Sequence, residues 1–196
     1  MRHTATLLVG LTLAGCQGAV PCFQFPYAMS PEAEALAGDR AAPAVEARYG
    51  GVVRDPQAEQ RMTQIGQRLA RHVSEFPSGG HYRLLDSNEL NAVSLPGGRV
   101  YITRGLYARL SSDGQLAAVL AHEMAHIVSR DHFKPRCGCC EEAIAREQAA
   151  DTRGARYLRQ AGITPQAMIE VIVLIEDAQP RGWSDTRVRS LRLSMG

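Results

Sequence analysis

Five consecutive residues, His122-Glu123-Met124-Ala125-His126, carry two imidazoles four positions apart with a carboxylate beside the first. Residues four apart on a helix share a face about one turn apart, so both imidazoles can turn toward one zinc ion while Glu123 sits next to them. Zinc lowers the pKa of a water toward about 7, and a neighbouring carboxylate can take the proton as that water attacks a carbonyl. The arrangement suits metal-assisted hydrolysis, with His122 and His126 as ligands of one zinc per chain and Glu123 as general base. Catalytic zinc usually has three protein ligands and one open position, and Glu147 is the candidate for the third. Asp151, one helical turn beyond Glu147, could accept the free N–H of a ligating histidine and fix its tautomer.

The elements that must position these residues are legible around them. Ser112-Asp113-Gly114-Gln115 has the Ser-x-x-Gln form of a capping box. The Ala- and Leu-rich stretch behind it, to Arg130, is apolar around most of its circumference, which predicts a buried helix. A buried helix has little reason to carry His, Glu and His together unless they are used, because unpaired buried polar groups are costly. A break over Asp131 to Cys140 contains Pro135 and Gly138, and the next helix, Glu141 to Gln160, stops at Gly162. Its antiparallel return would carry Glu147 and Asp151 back to the histidines.

Elsewhere, Asp55-Pro56 caps a helix with Met62, Ile65, Leu69 and Val73 at helical spacing. His81 to Leu85 and Asn91 to Leu95 are short extended segments, and Leu95-Pro96-Gly97-Gly98 turns into the run Val100-Tyr101-Ile102-Thr103. Thr164-Pro165 opens a helix with a dense apolar face through Ile169, Ile172 and Ile175, and the tail from Gln179 is basic and ambiguous. The expected class is α+β, mainly helical, with a small sheet beside the active-site helix.

A length of 196 residues with 45% hydrophobic content suits one globular domain. A net charge of +2 with 21% charged residues excludes a basic tail protein, so nucleic acid is not an expected partner. Met1-Arg2-His3 and the apolar stretch Leu7 to Leu13 read as an export signal too short to span a bilayer. Leu13-Ala14-Gly15-Cys16 resembles the lipobox of bacterial lipoproteins, which implies cleavage after residue 15 and a lipid on Cys16. Gln17 is compatible with transport to the outer membrane, so the expected location is its periplasmic face. Residues 16–51, rich in Ala, Pro and Gly, read as a tether, and residues 52–196 as the folded domain.

From Asn91 to Asp151 the chain resembles the zinc metallopeptidase family that includes the heat-shock protease HtpX, the CAAX prenyl proteases and small periplasmic lipoprotein peptidases. The resemblance rests on Asn91-Ala92, Leu95-Pro96-Gly97-Gly98, Thr103-Arg104-Gly105-Leu106, Leu120-Ala121 with the His122 to His126 motif, and Glu147-x-x-x-Asp151. It implies zinc on His122, His126 and Glu147, Glu123 as base, and a zincin-like (gluzincin) fold in which the strand near Gly98 to Thr103 aligns a peptide substrate. The implied activity is endopeptidase cleavage of unfolded or misassembled envelope proteins. A lipoprotein chaperone that keeps the zinc fold with little turnover is the rival, and a zinc-independent scaffold is a third reading.

One departure favours the rival. The family's C-terminal His-Pro pair followed by Arg is replaced here by Ser184-Asp185-Thr186-Arg187-Val188-Arg189. Arg187 or Arg189 could supply positive charge to an oxyanion, although either also suits the surface. Cys22, Cys137, Cys139 and Cys140 are expected to form disulfides in an oxidising periplasm. His72, His81 and His132 lack ligand spacing and read as surface or hydrogen-bonded histidines, with His132 able to border a substrate cleft.

Overall fold

The computed structural model describes residues 29–77, 79–134, 140–176 and 183–195. Cys16, Cys22, Cys137, Cys139, the export signal and the lipobox lie outside the described residues. The chain runs α1 (Pro31–Arg48), β1 (Val52–Val53), α2 (Pro56–Ala70), β2 (His81–Leu85), β3 (Ala92–Leu95), β4 (Arg99–Thr103) and α3 (Arg104–Arg109). It continues through α4 (Asp113–Val128), a single 3-10 turn (Asp131–Phe133), α5 (Cys140–Gln160), α6 (Gln166–Glu176) and α7 (Trp183–Met195). The architecture is mostly helical with a small mixed sheet. No helix among the described residues is long and apolar enough to cross a membrane.

The sheet order is β1-β2-β4-β3, with β2 and β4 parallel and the outer pairs antiparallel. This order corrects one expectation. The strand from Arg99 to Thr103 is bonded on both sides, to β2 and β3, so its backbone is not open to a peptide. The edge strands are β1 and β3, and β3 is the one that packs against α4. Alternation along the strands separates two apolar layers. Tyr82, Leu84, Ala92, Val100 and Ile102 join the main core with α2 and α4, whereas Leu85, Val93, Leu95 and Tyr101 pack against Ala41, Val45 and Tyr49.

That second layer corrects the tether over residues 31–48, which form helix α1 on the sheet. Ser30 caps it by accepting from the Ala33 N–H, and Pro31 opens it. The Ala-rich composition and the internal Pro43 hide the helix, but Ala41, Val45 and Tyr49 recur every four residues and are all buried. Burying each large apolar side chain contributes roughly 1.5–3 kcal/mol, enough for tertiary packing to override poor local propensity.

The helix α4 crosses the centre of the molecule, with every residue from Leu116 to Ile127 buried. Ser112 Oγ accepts from the Gln115 N–H at 3.2 Å, and Gln115 Oε1 accepts in return from the N–H of Ser111, one residue earlier than in the standard box. Its neighbour α5 approaches unusually closely at Gly154. A Cβ there would stand 2.7 Å from Met168 Cε and 3.2 Å from the backbone nitrogen of His122. The tail forms α7 and buries Arg187 and Leu191, one turn apart, toward α5.

Candidate metal centre

The two helices that meet at Gly154 bring three groups together. Nε2 of His122 lies 3.1 Å from Nε2 of His126, and the Glu147 carboxylate lies 3.3 Å from the first and 3.5 Å from the second. All three ligand atoms fall within 4.8 Å of one another, a group that could hold a metal ion. Both imidazoles are 8% exposed.

The far side of each ring explains the near side. His122 Nδ1 donates to Asp151 Oδ1 at 3.0 Å, and His126 Nδ1 donates to Asp131 Oδ2 at 2.8 Å. With each Nδ1 donating outward, the two Nε2 atoms are turned toward each other and toward Glu147. Glu147 Oε2 is buried beside them and makes no hydrogen bond of good geometry. Once both Nε2 atoms are free of protons the three groups are suited to hold a cation, and two nitrogens with one carboxylate oxygen match zinc.

Charges around the centre are arranged to keep the carboxylates ionised. Burial alone would raise the Asp151 pKa, but Arg187 and His122 outweigh it and hold the group below its usual value. The same holds for Glu147, where burial is outweighed by His122, His126 and Arg187, and for Asp131, where His126 and Lys134 outweigh it. Burial disfavours the Arg187 cation, and Asp151 and Glu147 reverse that. Arg187 donates through Nε and Nη2 to the two Asp151 oxygens at 2.6 and 2.5 Å, and its Nη1 lies 3.6 Å from Glu147.

Glu123 is buried on α4 and lines a cavity of about 40 Å³ with His122, Asn91, Ala92, Asp151 and Arg187. That volume admits one to a few waters, on the order of 10–15 Å³ each. A larger groove of about 480 Å³ between α5 and α7 is lined by Arg153, Arg156, Arg159, Ser190 and Ser194. None of the residues named for the chemistry lines it, so the smaller cavity is the relevant one.

Of the two candidate cations, Arg187 is buried at 4% and committed to Asp151, while Arg189 is exposed. His72 and His81 are exposed. His132 is buried, and its Nε2 lies 3.0 Å from the Ser94 carbonyl on β3 and 3.2 Å from Ser94 Oγ. Cys140 opens α5. Asp131 is a contributor that the motif reading leaves in a featureless break. The only signal for it is a carboxylate in the first turn after the second histidine.

Part of this chain is similar to known proteins. Residues 56–139 match the model of Peptidase family M48, a stretch holding α2, β2 to β4 and α4 with both histidines and Glu123. The chain is similar to the beta-barrel assembly-enhancing protease of Escherichia coli (strain K12), 32% identical over 79 residues, covering 40% of this chain and 16% of that protein. The protein of the same name from Yersinia pestis is 29% identical over 79 residues, with the same shares covered. A putative beta-barrel assembly-enhancing protease of Vibrio cholerae serotype O1 is 28% identical over 121 residues, 62% of this chain and 24% of the relative. The chain thus spans between 16% and 24% of the length of these curated relatives.

Proposed function

We propose that this chain is a zinc-dependent endopeptidase of the bacterial cell envelope that hydrolyses peptide bonds of unfolded or misassembled envelope proteins. The observation carrying this reading is the meeting of two imidazole Nε2 atoms and the Glu147 carboxylate beside a cavity lined by Glu123. Similarity to M48 peptidases supports the hydrolytic class, and the name of the relatives, assembly-enhancing proteases of β-barrels, supports envelope proteins as substrates.

His122, His126 and Glu147 would hold the zinc, which when bound would supply a water of lowered pKa, toward about 7, and polarise the substrate carbonyl. Glu123 takes the proton of the attacking water and passes it to the leaving amine. Asp151 and Asp131 hold the two Nδ1 protons, so both Nε2 lone pairs stay directed at the ligand position. Arg187 keeps Asp151 ionised and in place; with two donors on that carboxylate, it serves as a positioning residue.

In this reading the fold is zincin-like, and β3 aligns the peptide, because β4 is bonded on both sides. Ala92 of β3 lines the cavity with Glu123, so a peptide paired there would bring a carbonyl to the base. Cys16 carries the lipid that holds the domain at the outer membrane after residues 1–15 are removed, and Cys22, Cys137, Cys139 and Cys140 form disulfides in the periplasm.

The test is cleavage of an unfolded model protein by the zinc-loaded, oxidised protein beside its Glu123→Gln variant, which keeps the metal ligands. Cleavage by the parent and not by the variant supports the reading. Zinc bound at one per chain with no cleavage by either overturns it in favour of a zinc-dependent binding protein.

A further inference from the structure

Helix α1 precedes the stretch that matches the M48 model, yet it touches both parts of the molecule that frame the metal centre. It holds the edge strand β3 at its two ends. Tyr49 Oη, at the C-cap of α1, accepts from Asn91 Nδ2 at 2.7 Å, just before β3 begins. At the other end a Cβ on Gly38 would stand 2.0 Å from the Pro96 carbonyl oxygen, and Asp39 pairs with Arg99. Backbone contact this close leaves α1 and the β3–β4 turn little freedom to move apart independently.

The same helix also reaches the end of α4. Glu34, buried at 8%, pairs through Oε1 with Arg130 Nε at 2.8 Å. Arg130 follows Ser129, the C-cap of α4, and is the one non-glycine residue with positive φ among the described residues, at +53°. Glycine is the usual occupant of this left-handed position because a Cβ is strained there. Arginine accepts that strain and places a cation against Glu34, an ion pair without hydrogen-bond geometry. The following residues are Asp131, on His126 Nδ1, and His132, on the Ser94 carbonyl. Where the chain leaves α4 at Arg130 therefore decides where the Asp131 carboxylate meets a metal-facing imidazole.

We infer that Glu34 and Arg130 are positioning residues of the metal centre, through which α1 sets the Asp131–Phe133 turn and the orientation of His126. This rests on the reading of His122, His126 and Glu147 as zinc ligands. A residue that merely stops a helix is replaced by glycine at no cost to the fold, since glycine suits the left-handed conformation better. Replacing a positioning residue costs zinc affinity even where the fold is kept, so the two roles separate in one variant.

The experiment measures zinc affinity by chelator competition in the full chain, with thermal melting of the metal-free forms alongside. Arg130→Gly, which relieves the left-handed backbone but removes the cation beside Glu34, should change the melting temperature little while the zinc Kd rises about fivefold to tenfold, less than for loss of a direct partner of a ligand. Glu34→Gln should weaken zinc by a similar factor, and the double variant no further than either single one. Unchanged zinc affinity in both single variants overturns the inference, and so does simple additivity in the double variant. His126→Ala distinguishes its failure from that of the underlying reading: if that variant binds zinc as the parent does, the ligand assignment itself is wrong.

Discussion

Arg187 and Asp151 form a buried two-point ion pair, Nε to Oδ2 at 2.6 Å and Nη2 to Oδ1 at 2.5 Å, and the same Oδ1 accepts from His122 Nδ1 at 3.0 Å. A helix near the C-terminus thereby orients an imidazole on α4 through a carboxylate on α5. Replacing Arg187 with Gln takes the two-point cation from the buried Asp151 and leaves only His122 on it, and breaking a buried pair costs up to about 3–5 kcal/mol. We expect denaturant unfolding of the metal-free protein to show that loss. Zinc Kd should rise roughly 10- to 100-fold, the usual effect of losing a partner behind a metal ligand. Unaltered zinc affinity would mean that Asp151 keeps its place without Arg187.

Asp131 does for His126 what Asp151 does for His122, but from a more accessible turn where Lys134 also contacts it. Its loss should therefore separate metal affinity from stability. For Asp131→Ala we expect zinc affinity to fall about 10- to 100-fold while the metal-free protein loses only about 1 kcal/mol, the net value of an ordinary hydrogen bond. Equilibrium zinc competition and urea unfolding read the two quantities. A stability loss as large as that of Arg187→Gln would show Asp131 to be chiefly structural.

Gly154 sets the spacing between the two helices that supply the centre. Valine there would press on Met168 Cε and on the backbone at His122, and overpacking typically costs about 1–3 kcal/mol. Because Glu147 and Asp151 precede Gly154 on α5, moving α5 outward withdraws both carboxylates from the histidines together. Gly154→Val should weaken zinc binding along with stability, whereas Gly114→Ala, whose Cβ would make only contacts of 3.6 Å and longer, should leave zinc binding intact.

The legible parts of the fold are those encoded over short separations. Ser112 with Gln115, Asp55 with Pro56, and the four-residue spacings of His122 with His126 and Glu147 with Asp151 each depend on one turn of one helix. What sequence reading misses depends on distant partners. Strand order decides that β3 and not β4 is an edge, and it follows from the parallel β2–β4 crossover, which residues of β4 do not announce. Helix α1 draws on Leu85, Val93 and Tyr101 for its stability, so its own Ala- and Pro-rich composition reads as linker. Arg187 looks like one more cation in a basic tail because Asp151, which buries it, lies 36 residues away.

The protonation of His122 gives the centre a pH dependence with a definite sign. Burial pushes its imidazolium down, but in the metal-free protein the Asp151 and Glu147 carboxylates outweigh that and hold it up to about 10. Near neutral pH the metal-free His122 thus carries a proton that zinc must displace. Displacing one proton should raise apparent zinc affinity about tenfold per pH unit across the neutral range. Stability follows the same group with the opposite trend. A folded-state value above the ordinary 6.5 stabilises fully below 6.5, and that contribution is lost as pH rises through about 10. Glu147, held well below its ordinary 4.5, contributes above that value and loses its contribution as pH falls. The metal-free protein should therefore melt at progressively lower temperature from neutral pH toward pH 10, and the zinc-loaded protein, with His122 already neutral, should not share that decline. Parallel melting curves of the two forms across this range would show instead that His122 is neutral before zinc arrives.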